Sequence, residues 1–302
     1  MLTIIEPGIS NTIQDAGRWG FQSLGVPVSG AMDVFAFQVA NTLVRNANDN
    51  AVIEIHSPIK LQTDRAHLIA VIGDARITVN ERALPTWTSL FVRGGSLVEI
   101  IPGSAWTYLA IHGGVDVPRV MHSRATYTRG AFGGLGRALA VGDEIAIGDA
   151  VLSELVPSAG RMASERVRAC ASRDDPVRVI LGPHDDWFTP EAIAVFTESE
   201  YVVVDSADRM GYRLRGEPLV RRAGELVSCG VPLGAIQVPA DGQPIVLIAD
   251  HQTTGGYPII ATVIGADMPM LAQKMPGAHV CFRIVEIAEA QRAWREMCAL
   301  VV

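Results

Sequence analysis

His67-Leu-Ile-Ala-Val-Ile-Gly-Asp-Ala-Arg-Ile-Thr-Val-Asn-Glu81 reads as two short strands and two turns. Aliphatic and β-branched residues fill 67–72 and 76–79, and Gly73-Asp74 and Asn80-Glu81 interrupt them. Working outward, runs of the same kind occupy 51–55, 59–62, 88–92, 96–101 and 105–111, with Gly94-Gly95 and Pro102-Gly103 as further breaks. Strands so closely spaced predict a barrel or sandwich with a helix packed on it. That helix is expected over Asp33–Arg45, where apolar residues recur at 35, 36, 39, 40 and 43 behind Asp33 as N-cap.

A second unit is expected after residues 157–176, whose small, polar, aperiodic composition suggests a linker. A strand over 177–181 leads to a helix from Thr189-Pro190-Glu191 to about Phe196, started by an N-cap threonine and a proline at the first helical position. Strands at 200–205, 225–228, 235–238, 244–249, 259–264 and 280–285 and a helix at 286–299 complete the second unit. Gly25-Val-Pro27 and Gly230-Val-Pro232 echo one another, which is compatible with two units of one type. The expected fold class is mainly β with a few helices, in domains of residues 1–160 and 161–302.

The composition narrows the function. With 302 residues, 49% hydrophobic, the chain can bury two ordinary cores. A net charge of −7 argues against a nucleic-acid partner, because phosphate binding requires a basic face. The start of the chain lacks the pattern of a signal peptide, and no apolar run reaches the roughly 18 residues of a membrane span. Four scattered cysteines read as reduced thiols, so a cytoplasmic location is expected. There is no P-loop, no serine-hydrolase elbow and no metal-type histidine spacing, so no metal is expected. Of the 25 basic residues only Lys60 and Lys274 are lysines. Covalent biotin sits on a lysine flanked by methionines, and neither lysine has that setting. Biotin, if used, comes from another chain.

Polar residues concentrate in four segments. Thr12–Gln22 runs into Gly25–Asp33, where a glycine-rich loop capped by Asp15 and Asp33 is one reading. His112-Gly-Gly-Val-Asp-Val-Pro118 joins Ser123–Tyr127 and Gly133-Gly134, allowing a close backbone approach or a bulge. Gly182-Pro-His-Asp-Asp-Trp-Phe188 offers His184, Asp185 and Asp186 for acid–base or capping work. Farther on, Arg209 and Arg213 suit carboxylate recognition or a surface ion pair.

The fourth segment is the densest. Gly234-Ala-Ile-Gln-Val-Pro239 precedes Ala249-Asp-His-Gln-Thr-Thr-Gly-Gly-Tyr-Pro258, in which a strand delivers Asp250, Gln252, Thr253, Thr254 and Tyr257 into one Gly-Gly turn. Carboxamides and hydroxyls can bind a urea-like group by donating to its oxygen and accepting from its N–H. The amides of Gly255 and Gly256 can add an oxyanion site.

These motifs, with Gln14-Asp-x-Gly-Arg18, Gly25-Val-Pro-x-x-Gly-Ala-Met-Asp33, Asp208-Arg-Met-Gly-Tyr-Arg213 and Gln252-Thr-Thr-Gly-Gly-Tyr-Pro258, occur in an order that resembles the allophanate hydrolase subunit 2 family. That family also appears as the C subunit of 5-oxoprolinase, as the KipI antagonist, and in the carboxyltransferase region of urea carboxylase. Met121-His122 and Ala125 depart from its pattern locally. The resemblance implies two cyclophilin-like β-barrel domains, the second carrying the 252–258 loop. It implies a related cyclophilin-like partner of KipI type, a lactam-utilisation partner, and ATP-dependent work on 5-oxoproline or a urea-type amide, as a 5-oxoprolinase or a related carboxyltransferase.

On this reading the catalytic group is Asp250, Thr253, Thr254 and Tyr257, with Asp250 or Tyr257 relaying protons. Gln237, Gln252, Gly255 and Gly256 bind the amide, and Arg209 or Arg213 holds a substrate carboxylate. The other reading is a regulatory protein that sequesters a KipI-type kinase inhibitor, for which the interface matters more than any pocket.

Overall fold

The computed structural model describes residues 1–149, 156–224 and 226–301. The chain is mostly β-sheet with a few short helices, in two compact units. One comprises residues 1–18, 29–171 and 301–302; the other comprises 19–28 and 172–300.

In the first unit, two antiparallel sheets share one core. Strands Glu144–Ile145, Leu2–Glu6, Ile59–Thr63, Leu97–Pro102, Ala75–Val79 and Arg82–Leu84 form one sheet in that spatial order. Thr12–Gln14, Val52–Ile55, Thr107–Ile111, His67–Ile72 and Ser89–Val92 form the other. Alternate residues such as Ile4, Leu61, Val98 and Ile100 from the first meet Ile53, Val71, Leu109 and Ile111 from the second. The helix Val34–Leu43 starts where expected, because the Asp33 carboxylate accepts the Ala36 N–H at 2.8 Å.

Most of the segment expected as a linker, residues 157–171, is part of this unit. The N–H of Ser89 donates to Arg161 O at 2.8 Å, Ala163 N–H donates to Trp87 O at 2.9 Å, and the Ser89 hydroxyl donates to Ser158 O at 2.7 Å. Main-chain bonding needs no side-chain periodicity, so composition concealed it. A helix, Glu165–Ala171, follows.

The second unit is built on an eight-stranded sheet. Its order is His279–Val280, Tyr201–Val203, Gly211–Arg215, Ile245–Leu247, Ala235–Gln237, Ile259–Val263, Val177–Leu181 and Phe282–Ile284. The first and last of these are consecutive in sequence, with only Cys281 between them, so the sheet curls until its edges nearly meet. Phe196, Tyr201 and Phe282 pack together, with the rings of Phe196 and Phe282 stacked at 4.7 Å. The short helix Met268–Ala272 is wholly buried, and the Tyr212 hydroxyl donates to its Ala272 O at 2.8 Å. Thr189 and Pro190 start the helix Pro190–Glu198, and Ile287–Ala299 forms the amphipathic helix at the end.

The strand expected over 225–228 begins at residue 225, outside the described residues; 226–228 carry no strand, and the ladder lies at Cys229–Gly230 instead. Gly211–Arg215 is a strand that the sequence reading treated as an arginine motif.

Candidate functional site

A two-stranded ribbon lies against the outer face of the eight-stranded sheet. It pairs Cys229 with Gly255 and Gly230 with Thr254. Under it Val231, Ala235, Leu247 and Ile259 form a small apolar cluster flanked by Ile245. Gln237 closes this cluster with a carboxamide. Gln237, Ile245 and Arg213 stand directly opposite one another on three adjacent strands, so their side chains share the outer face.

Gln237 is 1% exposed. Its Oε1 accepts from Gln252 Nε2 at 3.2 Å, and its Nε2 has no partner among the described residues. A buried donor left unsatisfied costs about 1–3 kcal/mol, so such an atom marks a place where a ligand oxygen can repay that cost. Gly255 is required beside it, since a Cβ there would stand 2.6 Å from Gln237 Nε2. Its φ is not the reason; close approach is.

The remaining expected residues divide by what they touch. Gly255 faces Gln237, so its ribbon neighbour Thr254 turns to the opposite side and is exposed. Thr254 therefore does not converge with Gln237, contrary to the sequence reading. Val231 N–H donates to Thr253 O at 3.1 Å, and the ladder's alternation then directs the Gly255 N–H to Cys229 rather than to a ligand. Gly255 thus contributes space, not the oxyanion donor expected of it. Gly256 packs under the Leu226 carbonyl, and Tyr257 is 48% exposed at the loop tip.

Asp250 is also placed differently. Arg209 grips it with Nε on Oδ2 at 2.9 Å and Nη2 on Oδ1 at 3.2 Å, and Asp250 N–H donates to Arg209 O at 2.7 Å. A carboxylate held by a two-point guanidinium clamp is a poor proton relay, and that guanidinium is a poor ligand for a second carboxylate. The pair is a strut that fixes the base of the 252–258 loop. Arg213 is exposed and has no acidic partner among the described residues.

Two histidines border the loop. His184 Nδ1 accepts the Ile259 N–H at 3.2 Å, which puts the neutral ring's proton on Nε2. His251, to which the sequence reading gave no role, is buried, with Nδ1 2.6 Å from Gln252 O. Burial lowers its pKa, against the opposing effects of that hydrogen bond and of Asp250. Its position between two expected site residues was the only sequence signal.

The polar motifs of the first unit bond among themselves. Asp15 accepts from Gly17 N–H at 2.8 Å and the Ser123 hydroxyl at 2.7 Å, as well as from Arg124 N–H. Arg18 is fully buried, donates to Ala125 O and lies 4.9 Å from the Phe132 ring centroid. Gly133, at φ +69°, has no room for a Cβ against Ala125 O. These residues build loops.

Both lysines are paired, Lys60 with Glu6 at 2.9 Å and Lys274 with Asp174. No group of three or more His, Cys, Asp or Glu side chains that could hold a metal gathers among the described residues. No helix among them is long and apolar enough to cross a membrane.

Residues 24–284 match the family model described as carboxyltransferase domain, subdomain A and B. The chain is 36% identical over 301 residues to the C subunit of 5-oxoprolinase from Escherichia coli (strain K12), covering 97% of this chain and 94% of that protein. It is 31% identical over 302 residues to the C subunit of 5-oxoprolinase from Haemophilus influenzae, covering 98% and 95%. Among solved structures, urea carboxylase of Kluyveromyces lactis superposes with a TM-score of 0.92 at 26% identity, over 99% of this chain and 29% of that one. The chain thus spans less than a third of that larger enzyme. It belongs to the carboxyltransferase domain, subdomain A and B family, and is closely related to the C subunit of 5-oxoprolinase.

Proposed function

We propose that this chain is one component of a cytoplasmic, ATP-dependent amide-processing enzyme whose substrate is 5-oxoproline, opened to glutamate. The kinship to the C subunit of 5-oxoprolinase supports the activity, and near full-length coverage on both sides supports carrying it over. The buried, unpaired Gln237 Nε2 is the observation that carries the site.

Ring opening breaks the lactam C–N bond; water supplies hydroxyl to the carbonyl carbon and a proton to the nitrogen. Negative charge gathers on the carbonyl oxygen on the way. A fixed donor in a water-poor place stabilises that charge more than it stabilises the neutral carbonyl. Gln237 supplies the donor, Gln252 holds it, and the Thr253 and Tyr257 hydroxyls handle protons. Arg213, on the same sheet face, takes the substrate carboxylate; strands about 4.8 Å apart put it roughly 10 Å from Gln237 at the backbone, within reach of an arginine side chain.

If biotin participates, as the relation to urea carboxylase suggests, it comes from another chain, because neither Lys60 nor Lys274 is flanked on both sides by methionine. Biotin would supply carboxyl transfer, and Gln237 would hold its ureido oxygen. The partners are a cyclophilin-like protein of KipI type and a lactam-utilisation protein. Both units are read as cyclophilin-like barrels, supported by the shared core of the first unit and the nearly closed sheet of the second.

The test is reconstitution. The purified KipI-type and lactam-utilisation partners together with this chain, given ATP and 5-oxoproline, are expected to form glutamate. Omitting this chain should abolish the product; undiminished product without it would contradict the assignment.

A further inference from the structure

The strands Val177–Leu181 and Ile259–Val263 stay paired up to Gly182, whose N–H donates to Ile260 O at 2.8 Å. Gly182 allows that close approach, because a Cβ there would stand 2.4 Å from Ile259 O. Pro183 has no N–H and ends the main-chain ladder. On the other side, Pro258 O accepts the Val238 N–H at 2.9 Å. The trans peptide therefore turns the Ile259 N–H away from Val238, and His184 Nδ1 accepts it at 3.2 Å. An imidazole thus adds one rung where the ladder has run out. The ring is carried on a fixed turn: Trp187 N–H donates to His184 O at 3.0 Å, Arg222 N–H donates to Trp187 O at 2.8 Å, and Phe188 is buried. Ile259 directly follows the 252–258 loop and stands opposite Gln237 in register. The Arg209–Asp250 pair grips the upstream end of that loop, and His184 grips the downstream end.

We propose that His184 is a positioning residue that latches the downstream end of the 252–258 loop, acting through Nδ1 on the Ile259 amide. This rests on the reading above that the loop handles the amide substrate. Tyr257, to which proton handling is given there, stands two residues before Ile259. Pro258 between them has no N–H to donate, so the Ile259 N–H is the first main-chain donor after Tyr257. Removing its acceptor frees the chain on the side of Val177–Leu181 and leaves the Val238 contact alone to hold it. A shift of about 1 Å in a reacting group can lower a rate on the order of 100-fold. The latch therefore governs kcat more than substrate affinity, and His184 itself touches no substrate.

The experiment compares three variants in the assembled enzyme. Asparagine carries its side-chain oxygen at the δ position, as Nδ1 is placed, and glutamine carries it at the ε position, as Nε2 is placed. His184→Leu should lower kcat for glutamate formation about tenfold, with KM within about twofold of wild type. His184→Asn should recover most of that loss, and His184→Gln should not. Amide-resolved hydrogen exchange on the full chain reads the latch without turnover. Exchange at Ile259 should be about tenfold faster in His184→Leu and His184→Gln, and close to wild type in His184→Asn. Rescue by glutamine and not by asparagine would mean that Nε2 meets the substrate, which overturns the positioning role. An equal loss in all three variants, or unchanged Ile259 exchange in His184→Leu, overturns it as well. A wild-type assembly that forms no glutamate contradicts the function proposed above, and exchange at Ile259 then decides the latch by itself.

Discussion

Gln252 donates its side-chain Nε2 to Gln237 Oε1 across 3.2 Å, which leaves the Gln237 Nε2 as a buried donor without a partner among the described residues. The contact joins a sheet strand to the loop that crosses it, and the proposed chemistry depends on it. Gly255 permits that arrangement. Because a Cβ there would stand 2.6 Å from Gln237 Nε2, Gly255→Ala must push the carboxamide off its position. Glutamate formation should fall by at least about tenfold, with a stability loss of about 1–3 kcal/mol for the overpacking. Steady-state turnover and urea unfolding measure the two effects separately.

Arg209 and Asp250 should behave as a structural pair. Removing either partner leaves a buried charge uncompensated, at a cost of about 3–5 kcal/mol. Replacing both, as Arg209→Met with Asp250→Leu, should cost clearly less than the sum of the single changes. A double-mutant cycle by chemical denaturation checks this. Additive losses would show that the ion pair contributes nothing as a pair.

Asp267 sets the acid limit of the second unit. It is 1% exposed and accepts from Arg178 N–H at 2.8 Å, Arg178 Nη2 at 2.7 Å and Arg173 Nη2 at 2.9 Å. Burial pushes its pKa up, but the Arg178 side chain, then the Arg178 N–H, and also Arg173 hold it below the ordinary 3.8. The folded state therefore binds fewer protons than the unfolded one between the two pKa values. This contribution is full above about pH 4 and is lost as pH falls below 3.8 through the folded value. Asp267→Asn should remove that acid dependence and lower stability at neutral pH by about 3–5 kcal/mol. Denaturation curves from about pH 7 to about pH 3 test it.

Thr254 and Thr253 should differ. Thr254 faces away from Gln237, so Thr254→Val should leave turnover within about twofold of wild type, while Thr253→Val should lower it. A severe loss at Thr254 with the complex intact would mean that its hydroxyl reaches substrate.

Local signals were readable in the sequence. Asp33 and Thr189 each start a helix because capping acts over three residues, and the strands of 51–111 were visible because turn residues punctuate them. The strand Gly211–Arg215 is hidden in the sequence because its arginines read as a binding motif, although Tyr212 and Leu214 alternate inward as a strand requires. The motif cluster at 250–257 was legible, but its internal geometry was not. Arg209 and Asp250 are 41 residues apart, and nothing local tells a carboxylate that it will be clamped. Thr254's direction depends on a two-residue ladder with Cys229–Gly230, too short to leave a pattern. His251 gains no role from the motif, because position 251 varies in the family pattern that the sequence resembles.

The most direct measurement is 5-oxoproline turnover by the reconstituted enzyme carrying Gln237→Leu, which keeps much of the side-chain volume and removes the donor. The account predicts a fall in kcat of about 100-fold, as for loss of one charge-stabilising donor, with the complex still assembled. Turnover at the wild-type rate from an intact Gln237→Leu complex would contradict it.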